Sequence, residues 1–244
     1  MVNRSNAEGH KERFTWLKGR VPPEELHAKF VGGGLKNVHN TGYTEREIIS
    51  KYKDLNGASV IDVGCGIGRL TRYLLPIGIK AYLGTDVVPE ILAEAQQLAN
   101  GREEYRFELV SGPTIPADPK TADIVCGFSV VTHLLDEEVF RLFQHARRAL
   151  RPGGVAIFSY LSFVTHRQMF IKNDKAYEAK PDILKFFWPG TLEQFAEDAK
   201  LDVVDVVEAD TDLPGRGGTL LNGEPAPEKL KLGQSFIVMS RSVE

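Results

Sequence analysis

The chain has 244 residues, 42% hydrophobic and 26% charged, a globular balance that excludes disorder along its whole length. Thirty Lys and Arg against 33 Asp and Glu leave a net charge of −3, so no global basic field exists to hold a polyanion, and a dedicated nucleic-acid binder is disfavoured. Two cysteines, Cys65 and Cys126, are too few for a disulfide framework or a four-ligand zinc site, which points to a reduced, cytoplasmic compartment.

Residues 1–57 read as an N-terminal helical arm or cap. They carry ten Lys/Arg and seven Asp/Glu, a local +3 against −6 for the remainder, and three histidines, His10, His27 and His39. Met1–Arg20 has no apolar core of a signal peptide, and no run anywhere approaches the ~20 apolar residues of a membrane span. Gly32-Gly33-Gly34 reads as a hinge, and His39-Asn40-Thr41-Gly42-Tyr43 as a turn ahead of a helix.

At residue 58 the pattern changes, and residues 58–244 read as one domain. Ala58–Val63 is a short apolar run rich in β-branched residues, as a buried parallel strand requires. Similar runs follow at Lys80–Thr85, Tyr105–Val110, Ala122–Phe128 and Val155–Tyr160. Helical patterns separate them: Leu70–Leu75, Pro89–Asn100 with Pro at its start, and Asp136–Leu150 with an Asp cap and Val139, Leu142, Phe143, Ala146 and Leu150 on one stripe. Arg151-Pro152-Gly153-Gly154 stops that last helix. Leu161–Pro189 is far longer than the usual ~2–6-residue connection and reads as a lid insert (161–189). Its aromatics Phe163, Phe170, Tyr177, Phe186, Phe187 and Trp188, with Tyr160 just before it, form either a satellite core or an apolar or stacking wall for the acceptor. Thr191–Lys200 is a helix with a Thr cap, and Leu201–Glu208 and Ser235–Ser240 are strands. The Gly- and Pro-rich loop between them (210–233) holds no strong helix, so the last strand is expected to run antiparallel. The sum is an α/β fold, a doubly wound, seven-stranded, mostly parallel sheet with the last strand reversed.

The chemistry is concentrated in Val60-Ile61-Asp62-Val63-Gly64-Cys65-Gly66-Ile67-Gly68-Arg69-Leu70. A strand ends in an acid, a glycine turn follows, and a helix opens whose first N–H groups face any anionic ligand group. A dinucleotide fingerprint would need glycine at position 69, where arginine stands. The pattern D-x-G-x-G-x-G resembles motif I of the class I S-adenosylmethionine-dependent methyltransferases. Asp86, at the end of the second strand, matches that family's ribose-binding acid. Ala122–Phe128 resembles its fourth strand, and Arg148-Ala149-Leu150-Arg151-Pro152-Gly153-Gly154 its turn before strand five. The motifs span residues 58–160.

The resemblance implies S-adenosylmethionine as cofactor and S-adenosylhomocysteine as product. It implies that Gly64, Cys65 and Gly66 line the methionine half, and that Asp62 orders the loop or reaches the amino group through water. Asp86 and Val87 would hold ribose and adenine, Gly112 and Pro113 would edge the adenine, and Phe128 would lie beside the cofactor. The family's adenine-side acid is missing from Val110-Ser111-Gly112-Pro113, so Ser111 or a backbone carbonyl would serve there. Tyr43 or Arg46 of the arm would touch the methionine carboxylate.

Transfer to oxygen benefits from a base. His133 lies just beyond the fourth strand, at the carboxyl end of the sheet where ligands bind, and is the first candidate; His166, after strand five, is the second. A structural hydrogen bond is the competing role for both. His145 sits among charged neighbours on a helix face and reads as solvated. No cluster has metal-ligand spacing, so no metal is expected. The expected acceptor is a small molecule or glycan, methylated at oxygen. Amino methylation of nucleic acid would call for an N/D-P-P-Y-like motif where Phe128-Ser129-Val130-Val131 stands. Protein methylation and a non-catalytic cofactor-binding role stay open, as does the choice between monomer and homodimer.

Overall fold

The structure is a computed structural model that describes residues 6–18, 20–21, 25–26, 35–174 and 184–243. The Gly32–Gly34 hinge, His27 and Tyr177 lie outside the described residues.

Five strands run parallel through the first part of the sheet: β1 (Ser59–Val63), β2 (Ala81–Asp86), β3 (Tyr105–Leu109), β4 (Ala122–Gly127) and β5 (Leu150–Ser162). A two-residue strand β6 (Phe186–Phe187) extends the end of β5. After β7 (Asp202–Val207), a small hairpin of β8 (Leu213–Pro214) and β9 (Lys229–Leu230) stands apart, and β10 (Ser235–Ser240) returns. The strand order is β3-β2-β1-β4-β5-β10-β7, with β10 antiparallel to both neighbours. The expected seven strands and reversed last strand are therefore present, with β6 added at the rim.

All five residues of β1 are buried, which is why it reads as a continuous apolar run and not an alternating one. Val60 and Ile61 still point to opposite faces. Val60 joins Ile48, Ile49, Leu70, Leu74 and Phe236 on one side, and Ile61 joins Val139, Leu142, Phe143, Leu192 and Ile237 on the other. The first side is covered by α2 (Leu35–Tyr52) and α3 (Arg69–Leu74), the second by α5 (Asp136–Ala149) and α7 (Pro189–Asp198). Between them in sequence come α4 (Pro89–Leu98) and, after β5, α6 (Arg167–Asp174). Burying Ile48 and Ile49 contributes roughly 1.5–3 kcal/mol each, so the end of the arm belongs to the core. Its start, α1 (Asn6–Lys18), places Phe14 and Leu17 in a cluster with Val38, Ile67, Val88 and Ile91, directly over the glycine loop.

Several local expectations change. Gly42 is not in a turn; α2 runs straight through it. A Cβ there would fall inside contact distance of the Arg69 carbonyl oxygen and 2.9 Å from the Tyr73 ring, so glycine is the residue that lets α2 lie against α3. Asp136 does not cap α5. Leu135 is the N-cap, and the Glu138 carboxylate turns back to accept its N–H at 2.8 Å. α7 starts at Pro189, two residues before the expected Thr cap, because Pro at the first helical position fits there without a lost hydrogen bond. β5 begins at Leu150 and not Val155. A register shift between Ala122 and Ile124, with Gly153 at φ 74°, lets the chain pass from helix to strand without a break. At this junction the buried Arg241 guanidinium donates to Arg147 O, in the last turn of α5, at 2.9 Å and to Leu150 O, at the start of β5, at 2.7 Å.

Candidate active site

The carboxyl ends of β1, β2 and β4 open into a cavity of ≈ 420 Å³, roofed by α1 and α2 and flanked by the lid and the segment before β10. Gly64, Cys65, Gly66, Asp86, Val87, Gly112, Pro113, Phe128 and His133 all border it. These residues, widely separated in sequence, are thus brought to one place. Gly64 is there for a physical reason: its φ is +67°, and a Cβ would stand 2.5 Å from a methyl of Val130.

Asp86 is held in a fixed pose. Its Oδ2 accepts the Gly66 N–H at 3.1 Å and its Oδ1 accepts the Val88 N–H at 2.9 Å. Each oxygen keeps a lone pair for a further donor in the cavity. Burial raises the Asp86 carboxyl above its ordinary value, and these two N–H groups oppose the rise.

Asp62 does not border the cavity. It is buried beneath the loop, where Tyr82 donates its hydroxyl to Oδ2 at 2.9 Å, and Tyr82 is itself bonded to Thr71 at 2.8 Å. Burial pushes its carboxyl up to about 7, with the hydrogen bond from Tyr82 and the Arg69 charge opposing. Its place is the strand end under the loop, so of its two expected roles the ordering one fits.

Arg69, which in the sequence served only to exclude a dinucleotide site, is a central residue. Its Nε meets Glu45 Oε1 at 2.7 Å, and its Nη2 donates to Phe128 O at 3.1 Å. It borders the cavity and ties α2, the glycine loop and the end of β4 together. Glu45 is buried, which raises its carboxyl to about 7 against the lowering effect of Arg69. The position of Arg69 as the first residue of the helix after Gly68 was the signal available in the sequence. The arm residues expected at the methionine carboxylate lie elsewhere. Tyr43 donates to Gly217 O at 3.1 Å, and Arg46 pairs with Glu47 at 3.1 Å. Val38 and Thr41 of the same helix border the cavity instead.

The histidines separate. His133 ends a single 3-10 turn, Val131–His133, that directly follows β4, and it faces the cavity. His166 does not border it. Its Nδ1 lies 3.3 Å from the Ser162 N–H and its Nε2 3.0 Å from Gly233 O, so it pins the end of β5 to the segment before β10 and is not positioned as a base. His145 is half-buried, not solvated: its Nδ1 accepts the Ile115 N–H at 3.3 Å. Ser111 is exposed and outside the cavity lining.

Phe163, Phe170 and Trp188 of the lid form a partly exposed ring cluster and not a buried satellite core, with Trp188 60% and Phe170 42% exposed. Phe163 stacks on Trp188 with ring centroids 5.7 Å apart and meets Phe170 edge-on at 5.0 Å. Tyr160 and Phe187 sit in the main core. None of these rings borders the cavity; the lid segment sends Met169 and Leu184 there. Among the described residues no three His, Cys, Asp or Glu gather as a metal site, and no helix is long and apolar enough to cross a membrane.

A family model described as "Methyltransferase domain" matches residues 61–158, the stretch that builds the cavity floor. The chain is 27% identical over 182 residues to alpha N-terminal protein methyltransferase 1 of Caenorhabditis elegans, covering 71% of this chain and 72% of that protein. It is 25% identical over 184 residues to the ubiquinone biosynthesis O-methyltransferase of Neisseria meningitidis serogroup C, covering 71% and 76%. In fold it is similar, with a TM-score of 0.65 and 17% identity over 98% of both chains, to a methyltransferase solved in complex with the Haloferax volcanii Trm112 methyltransferase activator. The motif loop, the strand order and the family model thus agree on one assignment: residues 61–158 are a methyltransferase domain, and the chain is a methyltransferase that uses S-adenosylmethionine.

Proposed function

We propose that this cavity binds S-adenosylmethionine at its glycine-loop end and methylates an oxygen atom of a small-molecule or glycan acceptor at its other end. The carrying observation is that His133 and Asp86 border the same cavity from different strand ends. The groups present fit such a cofactor. Arg69 supplies a cation for an amino-acid carboxylate, the Asp86 carboxylate suits two ribose hydroxyls, and Gly112 and Pro113 form a rim for a flat base. When bound there, S-adenosylmethionine supplies a methyl group already activated by a sulfonium.

The chain's own contribution is then placement, exclusion of water and removal of one proton. Phe128 and Val130 give the β4 end an apolar surface that would desolvate an acceptor nucleophile held there. His133 would take the proton of the acceptor hydroxyl on a ring nitrogen as that oxygen accepts the methyl group, with S-adenosylhomocysteine as the leaving product. The cations that border the cavity, Arg13 and Arg69, come from the arm and the glycine loop. Apart from Arg69, whose guanidinium reaches the end of β4, the described lining residues that follow β4 in the chain bring no Lys or Arg, which favours an acceptor without phosphate or carboxylate.

Labelled methyl transfer to phenolic, sugar, peptide and RNA acceptors separates this reading from the protein and nucleic-acid alternatives. The proposal expects label on a hydroxyl of a small neutral acceptor. Label only on peptide or RNA would overturn it.

A further inference from the structure

The acceptor end of the cavity contains a side chain whose orientation is dictated from below. Gln234 borders the cavity just before β10. Its Oε1 lies 2.6 Å from the Ser159 hydroxyl, and that hydroxyl in turn lies 2.7 Å from the backbone N–H of Ser129. A backbone N–H only donates, so Ser159 Oγ accepts from Ser129. Ser159 is fully buried, and its own proton needs an acceptor. Among the described residues the one in reach is Gln234 Oε1. Were the carboxamide turned over, its NH₂ would meet the hydroxyl, and a buried hydroxyl proton would be left unpaired. The relay from Ser129 N–H through Ser159 Oγ–H to Gln234 Oε1 therefore sets which end of the carboxamide is used up. The two N–H donors of Nε2 are what remains for the cavity.

The relay is anchored at both ends. Ser129 holds φ 64°, a left-handed conformation uncommon for serine, next to the Phe128 carbonyl that receives Arg69. Gly233 receives His166, which fixes the backbone beside Gln234. The same cavity is lined by the apolar side chains of Leu134, Leu161, Met169 and Leu232, with Thr132 and Glu138 among its polar residues.

We propose that Gln234 is a specificity-determining residue that donates from its carboxamide nitrogen to an oxygen of the methyl acceptor, so that the enzyme selects a neutral, largely apolar molecule carrying a hydroxyl or carbonyl oxygen beside the hydroxyl to be methylated. The proposal rests on the methyltransferase reading of the cavity and adds the chemical class of its acceptor.

Catechol and phenol, which differ only in the second hydroxyl, serve as probes, titrated into the protein saturated with S-adenosylhomocysteine while the side-chain amide resonances of ¹⁵N-labelled glutamine are followed. Catechol is expected to bind about tenfold tighter than phenol, the effect of one hydrogen bond of about 1.4 kcal/mol, and to move the Gln234 pair. Gln234→Glu keeps an oxygen for Ser159 and removes both donors. It should abolish the preference while leaving S-adenosylhomocysteine affinity within about twofold. Ser159→Ala, which leaves the carboxamide able to turn over, should weaken the preference without removing it. Equal binding of the two probes, an unmoved Gln234 pair, absence of catechol binding at millimolar concentration, or a preference that survives in Gln234→Glu would each overturn the proposal. Failure of the wild-type protein to bind S-adenosylhomocysteine would instead overturn the cofactor placement on which it rests.

Discussion

Replacing Gly42 by alanine separates local from tertiary effects. Judged on helix propensity alone, Gly→Ala within an 18-residue helix stabilises by about 1 kcal/mol. The structure predicts the opposite sign. The new methyl would overlap the Arg69 carbonyl oxygen, which is backbone and cannot rotate away, and would crowd the Tyr73 ring at 2.9 Å. Overpacking of this kind costs about 1–3 kcal/mol, toward the upper end when backbone must move. Displacing the Arg69 backbone also lengthens the contacts of its side chain to Glu45 and Phe128 O, a further loss of about 1 kcal/mol or more for bonds from a charged donor. The net expectation is destabilisation by about 2 kcal/mol. With an m-value of about 3 kcal/mol/M, the urea midpoint falls by about 0.7 M. Because Arg69 borders the cavity, S-adenosylhomocysteine affinity measured by calorimetry should fall as well. A midpoint at or above that of the wild type, with unchanged affinity, would refute the proposed contact between α2 and α3 and its link to the site.

Other outcomes follow from the same contacts. Burial raises Glu45 from 4.5 and Asp62 from 3.8 to about 7, so the folded protein holds protons that the unfolded chain has released. Folding thus takes up protons between about pH 4 and 7, and stability falls as pH rises through that window; the urea midpoint should be lower at pH 8 than at pH 5.5, and Glu45→Gln should shrink the difference. A midpoint that climbs with pH and ignores that substitution would contradict the buried-acid assignment. Arg241→Ala strands the carbonyls of Arg147 and Leu150 and should cost about 1–3 kcal/mol in chemical denaturation, with S-adenosylhomocysteine affinity unaltered because the cap lies at the opposite end of β5 from the cavity. His133→Ala should reduce methyl transfer to any acceptor found by about 10²-fold or more while cofactor affinity holds. Equal loss of turnover and affinity would give His133 a structural role.

The strands could be read because their signal is local. A run such as Ser59–Val63 buries every side chain, so its β-branched composition alone marks it as an interior parallel strand. The reversed β10 could be read because a long Gly- and Pro-rich loop replaces a helical crossover. The glycine-loop end of the cavity was visible for the same reason, since Gly64, Gly66 and Asp86 sit where strands end. What was hidden depends on contacts between segments far apart in sequence. Glycine at 42 looks like a turn until the Arg69 carbonyl is placed beside it. Arg69 looks like a surface residue until Glu45 is buried against it. His166 reaches the rim in sequence, yet Gly233 occupies its nitrogen. Gln234 had no motif at all, because the serines that orient it lie on β5 and just after β4.

The central claim is that the glycine loop and the acid at the end of β2 form the cofactor site. Calorimetric titration of S-adenosylhomocysteine into the wild type and Asp86→Asn, side by side, tests it most directly. Asparagine keeps the shape and one oxygen but removes the charge and one of the two positions that hold the Gly66 and Val88 N–H groups. The account predicts measurable binding by the wild type and a loss of about 10–100-fold in the variant, the effect of about 1.4–2.8 kcal/mol in charge-assisted bonds. Identical affinities, with both proteins folded, would contradict it.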